Sequence, residues 1–122
     1  MTVSDQVPLC EDVVGVLHRL CDVAFGPSGF TMLTVIEGAR TRVVVSQCGS
    51  TAMDASAFTR ATFVLQHAKI EALSDLGVSV GDLATAAFRD LLDQLASVAP
   101  NKVEFMRAVQ SRMSAARIAA AR

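Results

Sequence analysis

Phe25-Gly26-Pro27-Ser28-Gly29 is the stretch on which the reading of the fold turns. Two glycines flank a proline whose φ is fixed, so the chain reverses tightly and its backbone can approach a packed neighbour or a phosphate. Upstream, Leu9, Val13, Val16, Leu17, Leu20 and Ala24 fall on one stripe at about 100° per residue, which predicts an amphipathic helix opened by Pro8. Residues 1–8 are expected to be loose. Downstream, 32–36 and 42–46 are β-branched runs on either side of Glu37-Gly38-Ala39-Arg40-Thr41, the pattern of a β hairpin. An isolated hairpin is marginal in water, so these strands must lie on helices or pair with another chain. Val43, Val44 and Val45 are expected to present that edge.

Ser46-Gln47-Cys48-Gly49-Ser50-Thr51 makes a second small-residue turn, and Ser50 or Thr51 can cap a following helix in which Ala52, Met53, Ala55 and Ala57 pack closely. Cys48 sits where a helix N-terminus can activate a thiolate, yet no histidine is fixed beside it in sequence, and a small part-buried thiol is the favoured reading. Phe58, Phe63, Val64, Leu65 and Ile70 spread almost all round a helical wheel, which predicts a central helix over 58–73 carrying His67. Ser74-Asp75-Leu76-Gly77-Val78-Ser79 breaks it. Val80, Ala84, Ala87, Phe88, Leu91, Leu95 and Val98 then form a clean stripe, with Asp82, Arg89, Asp90 and Asp93 as a solvated face rather than catalytic carboxylates. Pro100 stops this helix and opens the last, whose apolar side is Phe105, Met106, Val109, Met113 and Ala116.

At 122 residues the chain has room for one domain with a real core, and 52% hydrophobic content with mean hydropathy +0.42 predicts apolar surface left over. Residues 1–100 carry 6 basic and 11 acidic side chains, a net −5, whereas 101–122 carry Lys102, Arg107, Arg112, Arg117 and Arg122 against Glu104. The arginines wind around the last helix instead of lining one face, and no reader motif accompanies them, so nucleic acid is not an expected partner. Cys10, Cys21 and Cys48 are odd in number and widely spaced, which suggests neither a disulfide framework nor a zinc knuckle and fits a reducing, cytoplasmic setting. His18, Cys21 and Asp22 have metal-ligand spacing on one helix, but no second cluster completes a site. No apolar run reaches membrane-spanning length, so no membrane partner is expected.

Three turns in this order, with a hairpin between the first two, resemble the N-terminal part of the equatorial domain of group II chaperonins. That family shows a helix ending in G-P-x-G, a hairpin, a T-N-D-G-A-T turn, a long helix, a G-D-G-T-T turn, another long helix and a helix-opening proline. Here Gly26-Pro27-Ser28-Gly29 is intact. The second turn keeps Gly49 and Thr51 but has Cys48 at the family's Asp, and the third keeps Asp75 but has Leu76, Gly77 and Val78 after it. An alternative register takes Val80-Gly81-Asp82-Leu83-Ala84-Thr85 as the third turn; Asp75 is preferred because its distance to Pro100 suits the family without a gap. The divergent McKusick–Kaufman and Bardet–Biedl chaperonin-like proteins are the subgroup it looks most like.

The resemblance implies a mainly α-helical bundle with one β hairpin, a single equatorial-like domain over 1–122 that lacks the family's C-terminal half and leaves apolar stripes uncovered. It implies a nucleotide site at Gly26, Pro27, Gly29, Gly49, Thr51 and Asp75, with Asp75 on Mg²⁺. A thiol at position 48 is a poor ligand beside hard Mg²⁺, Leu76 crowds the phosphate approach, and Gly77 and Val78 lack the family's hydroxyls. The expectation is a catalytically inactive chaperonin-like protein with no catalytic residue. It would associate with chaperonin-type subunits or itself through Val43–45, in the cytoplasm or, by the subgroup resemblance, at the centrosome or ciliary base. The alternatives are a residual ATPase binding Mg-ATP and a small helical interaction module working through its basic last helix.

Overall fold

The computed structural model describes residues 3–26, 29–47, 59–99 and 101–121. Helix α1 (Val3–Phe25) starts before Pro8, which corrects the expectation of a loose segment as far as residues 3–8 are concerned. A proline fits helical φ and removes one backbone hydrogen bond, a cost of about 3 kcal/mol in a helix interior. Against it stand Cys10, Val13, Leu17, Cys21 and Ala24, all buried along one stripe, where each large aliphatic contributes roughly 1.5–3 kcal/mol. The helix ends as the first turn predicts. Gly26 adopts φ 84° and its N–H donates to the Asp22 carbonyl at 3.0 Å, a left-handed stop that side chains disfavour. Gly29 N–H donates to the Gly26 carbonyl at 3.0 Å, and β1 follows at once.

Strands β1 (Phe30–Glu37), β2 (Arg40–Gln47) and β3 (Thr59–Gln66) form an antiparallel sheet in the order β1-β2-β3, with Gly38-Ala39 joining the first two. The expected single hairpin is therefore a three-stranded sheet, and the expected helix over 58–73 is β3 followed by the short helix α2 (His67–Asp75). The periodicity explains the correction. Ala61 and Leu65 are buried and Phe63 packs on the core, while Arg60, Thr62, Val64 and Gln66 are exposed, an alternation of period two. Projected at helical spacing, the same residues scatter around the wheel.

Finding β3 also corrects the expected edge. Strand β2 is central, paired to β1 on one side and β3 on the other, so Val43, Val44 and Val45 offer no free backbone. Val43 and Val45 are fully buried, and Val44 lies half-buried on the opposite face.

Helix α3 (Val80–Val98) begins at Ser79, whose Oγ accepts from Asp82 N–H at 3.1 Å, and α4 (Lys102–Ala120) begins at Asn101, whose Oδ1 accepts from Glu104 N–H at 3.0 Å. The α3 stripe is wider than expected, since Leu83, Leu92 and Ala96 are buried with it, whereas Val98 is exposed. Helices α1 and α3 together cover the face of the sheet that carries Val43, Val45, Ala61 and Leu65. Helix α4 lies against the C-terminal part of α1, with Phe105 stacked on Phe25 at 6.2 Å and Val109 buried. Arg112 donates to the Ala24 carbonyl at 3.2 Å, placing a cation at the negative end of the α1 dipole. No described helix is long and apolar enough to cross a membrane.

Candidate functional site

The first and third turns singled out by sequence each have a local structural use. The N–H groups of Gly26 and Gly29 are both spent on the chain's own carbonyls. A Cβ at Gly29 would stand 2.1 Å from the Phe25 carbonyl oxygen, so the packing of the turn itself demands glycine there. Asp75 is the exposed last residue of α2. After it Gly77, at φ 92°, donates to the Ser74 carbonyl and Val78 N–H to the Leu73 carbonyl, both at 3.0 Å, which is a Schellman helix stop. The first turn feeds β1 at one end of the sheet. Helix α2 leaves β3 at the other end, where His67 N–H donates to the Ala39 carbonyl at 3.0 Å. Among the described residues no hydrogen bond or ion pair joins Gly26 or Gly29 to Asp75. Pro27, Cys48, Gly49, Thr51 and Pro100 lie outside the described residues.

The His18, Cys21, Asp22 triplet separates. His18 Nδ1 lies 3.4 Å from Asp22 Oδ2 on the exposed side of α1, and Cys21 is fully buried; no three metal-binding side chains cluster among the described residues. Burial, reinforced by the neighbouring Asp22 charge, pushes the Cys21 thiol from 9.0 up to about 12, and burial raises Cys10 as well. In a Cys48→Ser variant, both remaining thiols are expected to resist a thiol reagent until denaturant is added; rapid labelling of the native chain would contradict this burial. Above pH 9 the unfolded chain loses thiol protons that the folded chain keeps, so stability falls as pH rises from 9 towards 12. Melts across that range should show it.

One polar pair escaped the sequence reading because its members are far apart in the chain. Thr41 Oγ1 and His67 Nε2 are 2.7 Å apart, both residues are buried, and His67 Nδ1 has no hydrogen-bond partner among the described residues. The pair ties the start of β2 to the start of α2. A histidine directly after an alternating strand was the available signal, masked by reading 58–73 as helix.

The surface best suited to binding comes from the two edges of the sheet, which differ. On β3, the Gln94 side chain from α3 accepts from Thr62 N–H at 3.0 Å and donates to the Thr62 carbonyl at 2.9 Å, as a neighbouring strand would. Thr62 therefore points away from β2, and Phe63 bonds towards its partner Val43. Alternation along β2 then turns Val44 towards Leu33, which leaves Met32, Thr34 and Ile36 with N–H and C=O groups directed outward from β1. Leu33 and Ile36 are 61% and 54% exposed, so the edge is apolar on both faces. Its one charge, Glu37 at the end, is held by Arg40 and Arg42. Beside β1 runs a groove of about 310 Å³ between strand and helix, with Val14, Gly15, Thr34 and Ile36 as its floor and walls and Glu11 and His18 on its α1 side.

The chain matches no family model, no curated protein and no solved structure.

Proposed function

We propose that this chain is a non-catalytic association module that binds an extended protein segment along β1, with the adjoining α1 groove taking the side chains of that segment. The observation that carries this reading is the asymmetry of the sheet: Gln94 satisfies the outward groups of Thr62 on β3, while β1 has its outward row unmatched among the described residues. Strand addition uses such a row for affinity and flanking pockets for specificity. Natural edges are blunted by lysine, proline, a bulge or an inward charge, and Phe30–Glu37 contains none of these on its core-facing side. Association in place of hydrolysis also accords with two glycine amides already engaged within the chain. Chaperonin-type subunits are one class of partner, suggested by the resemblance of the turns.

Amide hydrogen exchange on the dilute chain tests the reading. Met32, Thr34 and Ile36 should exchange fast beside slow Leu33 and Val35, and Mg-ATP should leave the pattern and the melting temperature unchanged. Protection of all five amides in the isolated dilute monomer would mean that the chain covers its own edge, and the reading would fall.

A further inference from the structure

We infer that the segment received by β1 is β1 of a second copy, paired antiparallel about a two-fold axis at Thr34. The inference rests on the association reading and names its partner. Three independent features of the surface are self-complementary.

The first is register. An antiparallel pairing centred on Thr34 matches the outward groups of Met32 with those of Ile36 of the second copy, and Thr34 with its own counterpart. On the outer face it sets Leu33 beside Val35, and on the core face Met32 beside Ile36, so the exposed Leu33 and Ile36 each meet an apolar partner. Centring on Leu33 instead would pair Leu33 with its counterpart and Ile36 with Phe30 but would set Met32 against Thr34 and Val35 against Thr31, which gives fewer apolar pairs than centring on Thr34.

Hydrogen-bonding complementarity is the second. Two-fold symmetry runs the two α1 helices antiparallel along the junction, so the Glu11 end of one groove meets the His18 end of the other. On its own helix His18 faces Asp22 at 3.4 Å, and its ring lies 5.3 Å from that of Phe30; Glu11 is exposed.

The third is space. Gly15 sits within α1 at a cost of about 1 kcal/mol relative to alanine, yet a Cβ there would meet nothing within 4 Å. Packing within one chain does not call for this glycine. A second α1 crossing closely beside it would.

Sedimentation velocity across a wide concentration range tests the pairing. The wild-type chain should form a dimer. Thr34→Pro removes an N–H that makes no bond within the sheet, so the variant should keep its circular dichroism and melting temperature in dilute solution while dimerising about 100-fold more weakly. Leu33→Lys, which sets a charge against Val35 of the second copy, should weaken the dimer similarly and carries the test if the proline variant misfolds. Exchange on the wild-type chain gives a reading that needs no variant: Met32, Thr34 and Ile36 should become protected in step with dimer formation. A chain that stays monomeric with these amides exchanging freely overturns self-pairing and leaves the association reading standing. A dimer that persists in the folded variants, or that forms without protecting these amides, overturns the inference by placing the interface elsewhere.

Discussion

Leu17→Ala is expected to lower the unfolding free energy by about 3–5 kcal/mol. Leu17 has no exposed surface and ranks among the largest fully buried side chains, on a helix that touches the sheet, α2, α3 and α4. Its removal leaves a cavity bounded by several independently anchored elements, which limits relaxation, and poor relaxation is what pushes such truncations to the upper end of their range. For a domain with total stability of about 5–15 kcal/mol, that is a third or more of the whole. Chemical denaturation measures it, with Val103→Ala, at a site 66% exposed, as the comparison expected to stay within about 0.5 kcal/mol. Equal midpoints for the two variants would show that α1 is not the centre of the core.

Gly29→Ala is the second large effect, and its contrast with Gly26→Ala separates two reasons for glycine in one turn. Gly26 has φ 84° with open space around it, so alanine there meets only the left-handed backbone penalty, roughly 1–2 kcal/mol. At Gly29 the added methyl would lie 2.1 Å from the Phe25 carbonyl oxygen, a backbone atom at the end of a packed helix that cannot swing aside. Strain of that kind costs about 3 kcal/mol. Gly29→Ala should therefore melt well below Gly26→Ala without any nucleotide present. If the order were reversed, or if Gly29→Ala kept full stability, close packing of the turn would not be the reason for this glycine.

Much of this architecture was legible in local periodicity. The stripes of α1 and α3, the stop at Gly26 and the hairpin around Gly38 each depend on residues close together in the chain, and each appears where the pattern predicts it. The misreading of 58–73 had one source and two consequences. Phe63-Val64-Leu65 is apolar on both faces of its strand, so three consecutive large residues hide the alternation of Ala61, Phe63 and Leu65. A helix over 58–73 leaves β2 as an edge strand and points to Val43–45 as the contact surface, whereas with β3 in place β2 is central and β1 is an edge. The contacts that define the candidate site are also nonlocal. Thr41 and His67 are 26 residues apart, and Thr62 and Gln94 are 32 apart. No spacing rule within an element reaches that far; the sheet order together with the placement of α2 and α3 against it brings them together.

The amide of Gln94 has a consequence for how large an assembly this sheet can seed. A β-sheet with two open edges has no natural end and can recruit copies without limit. Here a side chain of the same molecule occupies the outward groups of Thr62 in the middle of β3, which obstructs strand addition at that edge, whereas the outward row of β1 has no such plug among the described residues. If two β1 strands pair as inferred above, the open edge of each copy is used up and the edge obstructed at Thr62 is left at both outer margins. The product would be a six-stranded unit, whereas a head-to-tail stack would require the margin at which Gln94 is bound. On that pairing a single glutamine would favour a finite pair over a polymer.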